Sequence, residues 1–351
     1  MPQTNLNAIL LTCIKGLIHF LFSLFVILSS LWLCLALWIQ EPVNWLFSRI
    51  LIGVWLAFAL SVLGIYISHH FFSRRKDILI YLVAFAFSLL WYFNLPALQN
   101  RHWAPDVARI LSYEKQGDLV TLHNIRNFDW RTETDFTEHW ETRQYNLNDI
   151  TGVNIITSYW MGPQIAHTLV SFDFKNQRPL VFSIEIRKEK TESFSAIGGF
   201  FRKFELSLIA SDEKDIVYTR SNVRGEQVYF FPINMPKSEM KALFEEYLQK
   251  SDELHQHAKW YNTLTSNCTT LVFDMIQAIS PRELPVDYRL FASGYLPNYL
   301  YDLKALNQDV SLKDWYQHAH VNPRVEQHHP LNSTQYSQLM RQGVPRAQSL
   351  P

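Results

Sequence analysis

Three stretches near the N-terminus lack the mixture of apolar and polar positions that a soluble fold carries. Leu17–Ile39, Ile50–Ile67 and Ile78–Leu98 are almost continuously apolar. Each is close to the roughly 20 helical residues that cross a hydrocarbon core. They predict three transmembrane helices, about 17–39, 50–67 and 78–98, within a membrane region of residues 1–99. The first run is too long for the apolar segment of a signal peptide, and no small-residue cleavage site follows it. Three consecutive near-chargeless runs are also a poor fit to the buried helices of a soluble domain.

Beyond residue 100 the pattern changes to short alternating segments. Gln116–Trp130, QGDLVTLHNIRNFDW, reads as strands and turns around Gly117-Asp118. Ile165–Phe174, IAHTLVSFDF, suits a pleated strand; the turn KNQR and the alternating PLVFSIEIRK complete a hairpin. RKFELSLIA, DIVYTRS and EQVYFFPI read as further strands. The period then lengthens. After Pro236, Met240, Leu243, Phe244, Tyr247 and Leu248 recur at helical spacing. A second helix starts at or just after Cys268, with Ser266 or Asn267 as N-cap and Leu271, Val272, Met275 and Ile276 on one face. Residues 282–306 read as loop and short helix. The polar residues 311–351 read as an extended or disordered tail. The fold class is α+β: three membrane helices, then a domain at 100–310 with an antiparallel sheet and a cysteine-bearing helix.

Charge sets an orientation. Arg74, Arg75 and Lys76 lie between the second and third runs, whereas the first connection holds Glu41 and no basic residue. Basic loops stay cytoplasmic, so the N-terminus is placed inside and the domain after residue 100 outside. Lys15 agrees, and Arg49 at the outer edge of the second run reaches back to the interface. Over the whole chain 32 basic residues balance 32 acidic ones, which argues against a broad nucleic-acid footprint. No glycine-rich phosphate loop is present and no cofactor is expected. Histidines 255, 257, 318, 320, 328 and 329 match no zinc spacing, and no metal is expected.

Candidate chemistry centres on Tyr261–Phe273, YNTLTSNCTTLVF. Cys13 and Cys34 belong to the membrane region, so Cys268 has no soluble partner in the chain. Outside the cytoplasm such a thiol is either inert and buried or kept for its reactivity. At a helix N-terminus the amides and the dipole favour the thiolate. His167, on the first strand of the hairpin, is the candidate base. Glu185 is the candidate orienting residue, with Ser183 open as an alternative because the hairpin register is not fixed by sequence. Oxyanion donors would be the Cys268 amide, the Asn267 side chain or the Tyr261 hydroxyl. Arg187, Phe200 and Phe201 are candidate substrate contacts, the phenylalanines within SAIGGFFRKF, a segment suited to a lid or a lipid-facing flap. Arg220 and Arg224 read as ordinary surface charge. Each of these residues also has a plain structural reading as packing or solvated surface.

The blocks TGVNIITSYWMGPQIAHTLVSFDF, FSIEIRKEK, SAIGGFFRKFELSLIASDE, VYFFPI, YNTLTSNCTT and RLFASGYLPNYLYD resemble, in order, the Lnb N-terminal periplasmic domain family, from about Arg101 to Leu306. The resemblance implies a permuted papain-like fold in which the histidine strand precedes the cysteine helix. It implies N-acyltransferase activity on bacterial lipoproteins, through a thioester on Cys268 with His167 as base. In the namesake enzymes the membrane segments follow this domain, whereas here they precede it. The expectation is therefore an inner-membrane protein with a periplasmic cysteine acyltransferase domain, a phospholipid or lipoprotein as substrate, and protein partners left open. A peptidoglycan or amide hydrolase with the same dyad, and a non-catalytic envelope binding or assembly module, are the competing readings.

Overall fold

The computed structural model describes residues 3–68, 73–326 and 332–348, and the chain divides into two compact units. The first holds three helices, α1 (Gln3–Gln40), α2 (Trp45–Ser68) and α3 (Arg74–Phe93), together with residues 201–203. Ala8–Gln40, α2 and α3 are each long and apolar enough to cross a membrane. The helical unit is apolar outside and partly polar within. Ile9, Leu31, Leu60 and Phe87 are exposed, while the buried Tyr81 hydroxyl meets Ser29 Oγ at 2.8 Å and Ser30 Oγ at 2.9 Å. Trp55 Nε1 donates to Ser30 Oγ at 3.1 Å. Hydrogen bonds of this kind tie helices together where the surroundings offer no water. Arg49 lies 5.0 Å from the Trp38 ring and 4.7 Å from the Trp45 ring, a cation held between two indoles.

The helices depart from the expected spans at both ends. α1 begins well before Leu17, because Gln3–Gly16 continues the helical pattern. α3 stops at Phe93 and not at Leu98: Pro96 disfavours helix at the residue before it and has no amide to donate. The basic cluster falls in the first turn of α3; His69–Phe72, the rest of that connection, lie outside the described residues.

The second unit holds residues 98–200 and 204–351. Its strands are β1 (Ser112–Gln116), β2 (Leu119–Arg126), β3 (Asp129–Trp130), β4 (Phe136–Thr137), β5 (Trp140–Asn146), β6 (Ile150–Tyr159), β7 (Ala166–Phe174), β8 (Leu180–Arg187), β9 (Glu205–Ser211) and β10 (Gln227–Pro232). The main sheet runs β1-β2-β9-β8-β7-β6-β10, with β5 also on β2 and β3 paired to β4 apart from it. All its pairings are antiparallel except the short β2–β9 contact. Alternation assigns the faces. Val170, Phe172, Phe182, Ile184, Leu208 and Ala210 point into one core, and Leu169, Val181 and Ile209 into the other. Helices α5 (Lys237–Gln256), α6 (Thr270–Ile279), α7 (Leu296–Asp302) and α8 (Leu312–Ala319) cover the first face, through Phe244, Met275, Leu300 and Trp315 among others. Helices α4 (Glu213–Tyr218), α9 (Asn322–Val325) and α10 (Ser333–Arg341) cover the second, through Ile216, Val325 and Tyr336.

Two segments differ from the sequence expectation. DIVYTRS is not a strand. Asp212 caps it, its side chain accepting from Lys214 N at 3.1 Å, and α4 runs into a wide π-type turn at Thr219–Val223. Tertiary contacts override the β-propensity of Ile216 and Val217: the buried Asp215 carboxylate takes donors from Arg126, Phe128 N and Trp130. Residues 311–351 are likewise no loose tail. They carry α8, α9 and α10, and the guanidinium of Arg341 binds Glu213 at 2.7 Å and Asp173 at 2.6 Å. Polar composition concealed this order, because the scattered large side chains Trp315, Tyr336 and Met340 are fully buried and anchor the segment. His328 and His329 lie outside the described residues.

Candidate active site

Pairing between β7 and β8 ends at Leu169↔Ser183. Beyond it β7 continues against β6 and β8 against β9, so the two strands part. Extending the lost register by two residues sets His167 across from Glu185. His167 Nε2 lies 2.8 Å from Ser183 Oγ and 3.3 Å from Glu185 Oε1, and Ser183 Oγ donates to Glu185 Oε1 at 2.7 Å. Both residues left open by the sequence are therefore used, the serine as a bridge between imidazole and carboxylate.

The sulfur enters at the same parting of the strands. Thr168, which has no β8 partner opposite it, donates its amide to Cys268 Sγ at 3.5 Å, and Thr168 Oγ1 meets Thr269 Oγ1 at 2.8 Å. The thiol and the imidazole are close enough that each shifts the other's protonation. Because Nε2 is taken up by Ser183 and Glu185, Nδ1 is the ring nitrogen left for the sulfur.

Local structure presents the thiol as the helix opens. Asn267 Oδ1 accepts from Thr269 N at 2.8 Å and Thr270 N at 2.9 Å, while its carbonyl accepts from Leu271 N at 3.1 Å. The Asn267 side chain thus caps the turn that leads into α6, and Cys268 lies in that turn, two residues before the helix begins. The Asn267 side chain spends its oxygen on that cap and one Nδ2 donor on Thr263 O, at 2.7 Å. Among the described residues the Cys268 amide has no acceptor, which keeps it available as an oxyanion donor.

Charge in this pocket separates across the pair. Burial works against the imidazolium of His167, but the Cys268 thiolate and then the Glu185 carboxylate outweigh it and push His167 up to about 9. Burial likewise raises the Cys268 thiol; the His167 charge, its hydrogen bond and the Thr168 amide reverse this and bring it below the ordinary thiol range. Glu185 is held well below the carboxylate range despite burial, by His167 and Arg220. A resting thiolate–imidazolium pair is the state these interactions favour. Two phenols sense the same sulfur. Tyr247, fully buried and stacked on Phe182, and Tyr261 are both raised, first by burial and then by the Cys268 charge, so each remains a donor. Among the described residues the Tyr247 hydroxyl has no hydrogen-bond partner.

Arg220 is the residue the sequence concealed. It is buried, not surface charge, and its guanidinium donates to Glu185 Oε1 at 2.6 Å. The wide turn after α4 carries it there, and a wide turn has no linear signature. Arg187, expected as a substrate contact, lies apart from this constellation. It is buried on Trp103, 4.4 Å from the ring, and donates to the carbonyls of Val107 and Ala108, none of them part of this constellation. Phe200 lies exposed at the end of the Gly198–Phe200 turn, while Phe201 belongs with the helical unit, buried beside Ala36 and Tyr92. Arg224 is half-buried near Glu226 and Glu133.

Two glycines hold loops against the site. Gly199 O accepts from Thr263 N at 3.2 Å, and a Cβ on Gly199 would meet Thr263 Oγ1 at 2.3 Å. Gly294 lies against the chain before β7, where a Cβ would sit 2.1 Å from Pro163 O. Beside it Ser293 Oγ donates to Ala166 O at 2.7 Å and accepts from Ala166 N at 3.0 Å, so this turn fixes the strand end that carries His167.

Residues 136–294 match the Lnb N-terminal periplasmic domain family. The match takes in His167, Ser183, Glu185, Arg220, Tyr261, Asn267 and Cys268, and it ends at the glycine that packs on the β7 entry. It is narrower than the resemblance from Arg101 to Leu306, covering a little under half of the chain and leaving out α1–α3 and α7–α10. The Lnb-type segment thus contains the whole constellation but not the helices at either end. Neither a curated protein nor a solved structure matches the chain. Among the described residues no group of three or more His, Cys, Asp or Glu side chains is arranged to hold a metal ion.

Proposed function

We propose that the protein is a membrane-anchored cysteine acyltransferase, with its Lnb-type domain on the periplasmic face of a bacterial inner membrane and its N-terminus in the cytoplasm. The observation that carries this reading is the Cys268–His167–Glu185 constellation, completed by Ser183 and Arg220. The Cys268 thiolate attacks an ester carbonyl of a phospholipid or of a lipoprotein's diacylglyceryl group. A C–S bond forms, and the oxyanion is met by the Cys268 amide and the Tyr261 phenol. The C–O bond then breaks as His167 protonates the departing alkoxide, leaving a thioester and a neutral imidazole. A lipid-linked amine, such as a lipoprotein N-terminus, next attacks the thioester carbonyl. Its C–N bond forms, the C–S bond breaks, and His167 takes the amine proton, restoring the ion pair. Glu185 orients the imidazolium throughout, and Arg220 keeps Glu185 ionised and in place. Phe200, exposed beside the Gly199–Thr263 contact, is suited to meet an acyl chain. The permuted papain-like relationship implied by the sequence agrees with the order of His167 and Cys268.

The test is direct. Purified full-length protein incubated with phospholipid should carry a hydroxylamine-sensitive acyl group, and Cys268→Ala should carry none. Full acylation of Cys268→Ala refutes the assignment. Release of peptide fragments from muropeptides, with no acyl-enzyme from lipid, supports the hydrolase reading instead.

A further inference from the structure

Large apolar side chains are exposed unevenly on the sheet-bearing unit. The β6–β7 loop shows Trp160, Met161 and Ile165; the β8–β9 loop shows Phe194 and Ile197; the loop before Cys268 shows Leu264. Leu98 and Leu119 apart, every exposed large hydrophobic residue described in this unit lies on these loops or on the 286–291 segment that leads to Gly294. The loops form one continuous rim. The Trp160 and Phe194 rings meet edge to face at 5.1 Å, Gly199 is bonded to Thr263, and Gly294 N donates to Gln164 O at 3.0 Å. His167 and Cys268 follow directly in the chain on two of these loops, so the rim adjoins both residues.

Its chemistry narrows what covers it. Residues 160–165, 193–200 and 261–267 contain no charged side chain. In the 286–291 segment Asp287 and Arg289 neutralise each other at 2.6 Å. A rim with tryptophan, phenylalanine and aliphatic tips and no net charge matches a bilayer interface better than a charged or peptide partner. The same chain carries three helices long and apolar enough to cross a membrane.

We infer that this rim docks into the outer surface of the bilayer that holds the chain's own helices, so that Cys268 opens onto lipid and not onto bulk water. The occupant is the lipid interface itself, whatever molecule the thiol acts on. This goes beyond the acyl-transfer reading and survives or fails independently of it.

The test uses full-length protein in liposomes of phosphatidylethanolamine and phosphatidylglycerol. Cys13, Cys34 and Cys268 are replaced by Ala, and spin labels are placed by Met161→Cys, Ile197→Cys and Leu264→Cys, with Gln116→Cys on the exposed end of β1 as control. The rim labels should collide several-fold more with dissolved oxygen than with a water-soluble nickel chelate, and the Gln116 label should show the reverse. Rim labels that behave like the control overturn the proposal. So does spin–spin broadening among rim labels that vanishes on dilution with unlabelled protein, which would mark a contact between two copies. The acyl-enzyme assay on wild-type protein reports separately on the chemistry.

Discussion

Replacing Glu185 by glutamine tests the electrostatic core of the site while conserving shape. His167 is pushed from 6.5 to about 9, a rise worth about 3 kcal/mol at 1.36 kcal/mol per pH unit. The Cys268 thiolate is the larger favourable cause and Glu185 the next. At 3.3 Å two opposite charges attract by ~5 kcal/mol at an effective dielectric near 20. Arg220 sits 2.6 Å from the same carboxylate oxygen and cancels much of that field at the imidazole. The net loss in Glu185→Gln should be about one pH unit, on the order of 1 kcal/mol. The sign at the thiol needs both terms. Losing Glu185 relieves a direct repulsion of the thiolate, but it weakens the nearer imidazolium more, so the ion pair becomes less populated. Alkylation of Cys268 by iodoacetamide, followed against pH, is the assay. Wild type should react well below the ordinary thiol range. Glu185→Gln should react up to about tenfold more slowly between pH 6 and 7 and converge with wild type above pH 9, where the thiolate no longer depends on the imidazolium. Superimposable profiles refute the reasoning, as does a single wild-type wave near pH 8.5, the value of a free thiol.

Two further substitutions probe how the scaffold holds the site. Gly294→Ala should lower the thermal midpoint and abolish Cys268 acylation together, because a Cβ there would lie 2.1 Å from Pro163 O and 2.7 Å from Gln164 C, displacing the entry to β7 at a typical cost of about 1–3 kcal/mol; a wild-type melting curve contradicts this. Arg341→Ala leaves the fully buried Glu213 and the neighbouring Asp173 without their shared cation, at a cost of roughly 3–5 kcal/mol, and residues 333–348 should become the first site of limited proteolysis; unchanged protection of that segment would show that α10 does not depend on the clamp.

The linear sequence determined what depends on near neighbours. Chargeless runs of membrane length can bury their backbone polar groups only as helices, so α1–α3 were legible, although α1 overran its expected start and Pro96 ended α3 early. Alternation in IAHTLVSFDF and PLVFSIEIRK fixed the β7–β8 hairpin, and the apolar spacing after Pro236 fixed α5. Cys268 at a helix start and His167 on a strand were visible as separate facts. Tertiary structure alone decided their meeting. The register ending at Leu169↔Ser183, the parting of β7 from β8 and the choice of Glu185 with Ser183 are long-range matters that no window of sequence contains. Arg220 needed a π-type turn to reach Glu185, and α4 replaced an expected strand because a buried Asp215 outweighs local propensity. The ordered C-terminal helices had the same cause: a handful of buried side chains and one arginine clamp dominate a segment whose average composition is polar. Local pattern sets which elements form, because it reflects which side of each element can face an apolar interior. Which side chains then share a pocket is set by packing between residues a hundred positions apart, and this protein's reactive sulfur exists as a site only at that level.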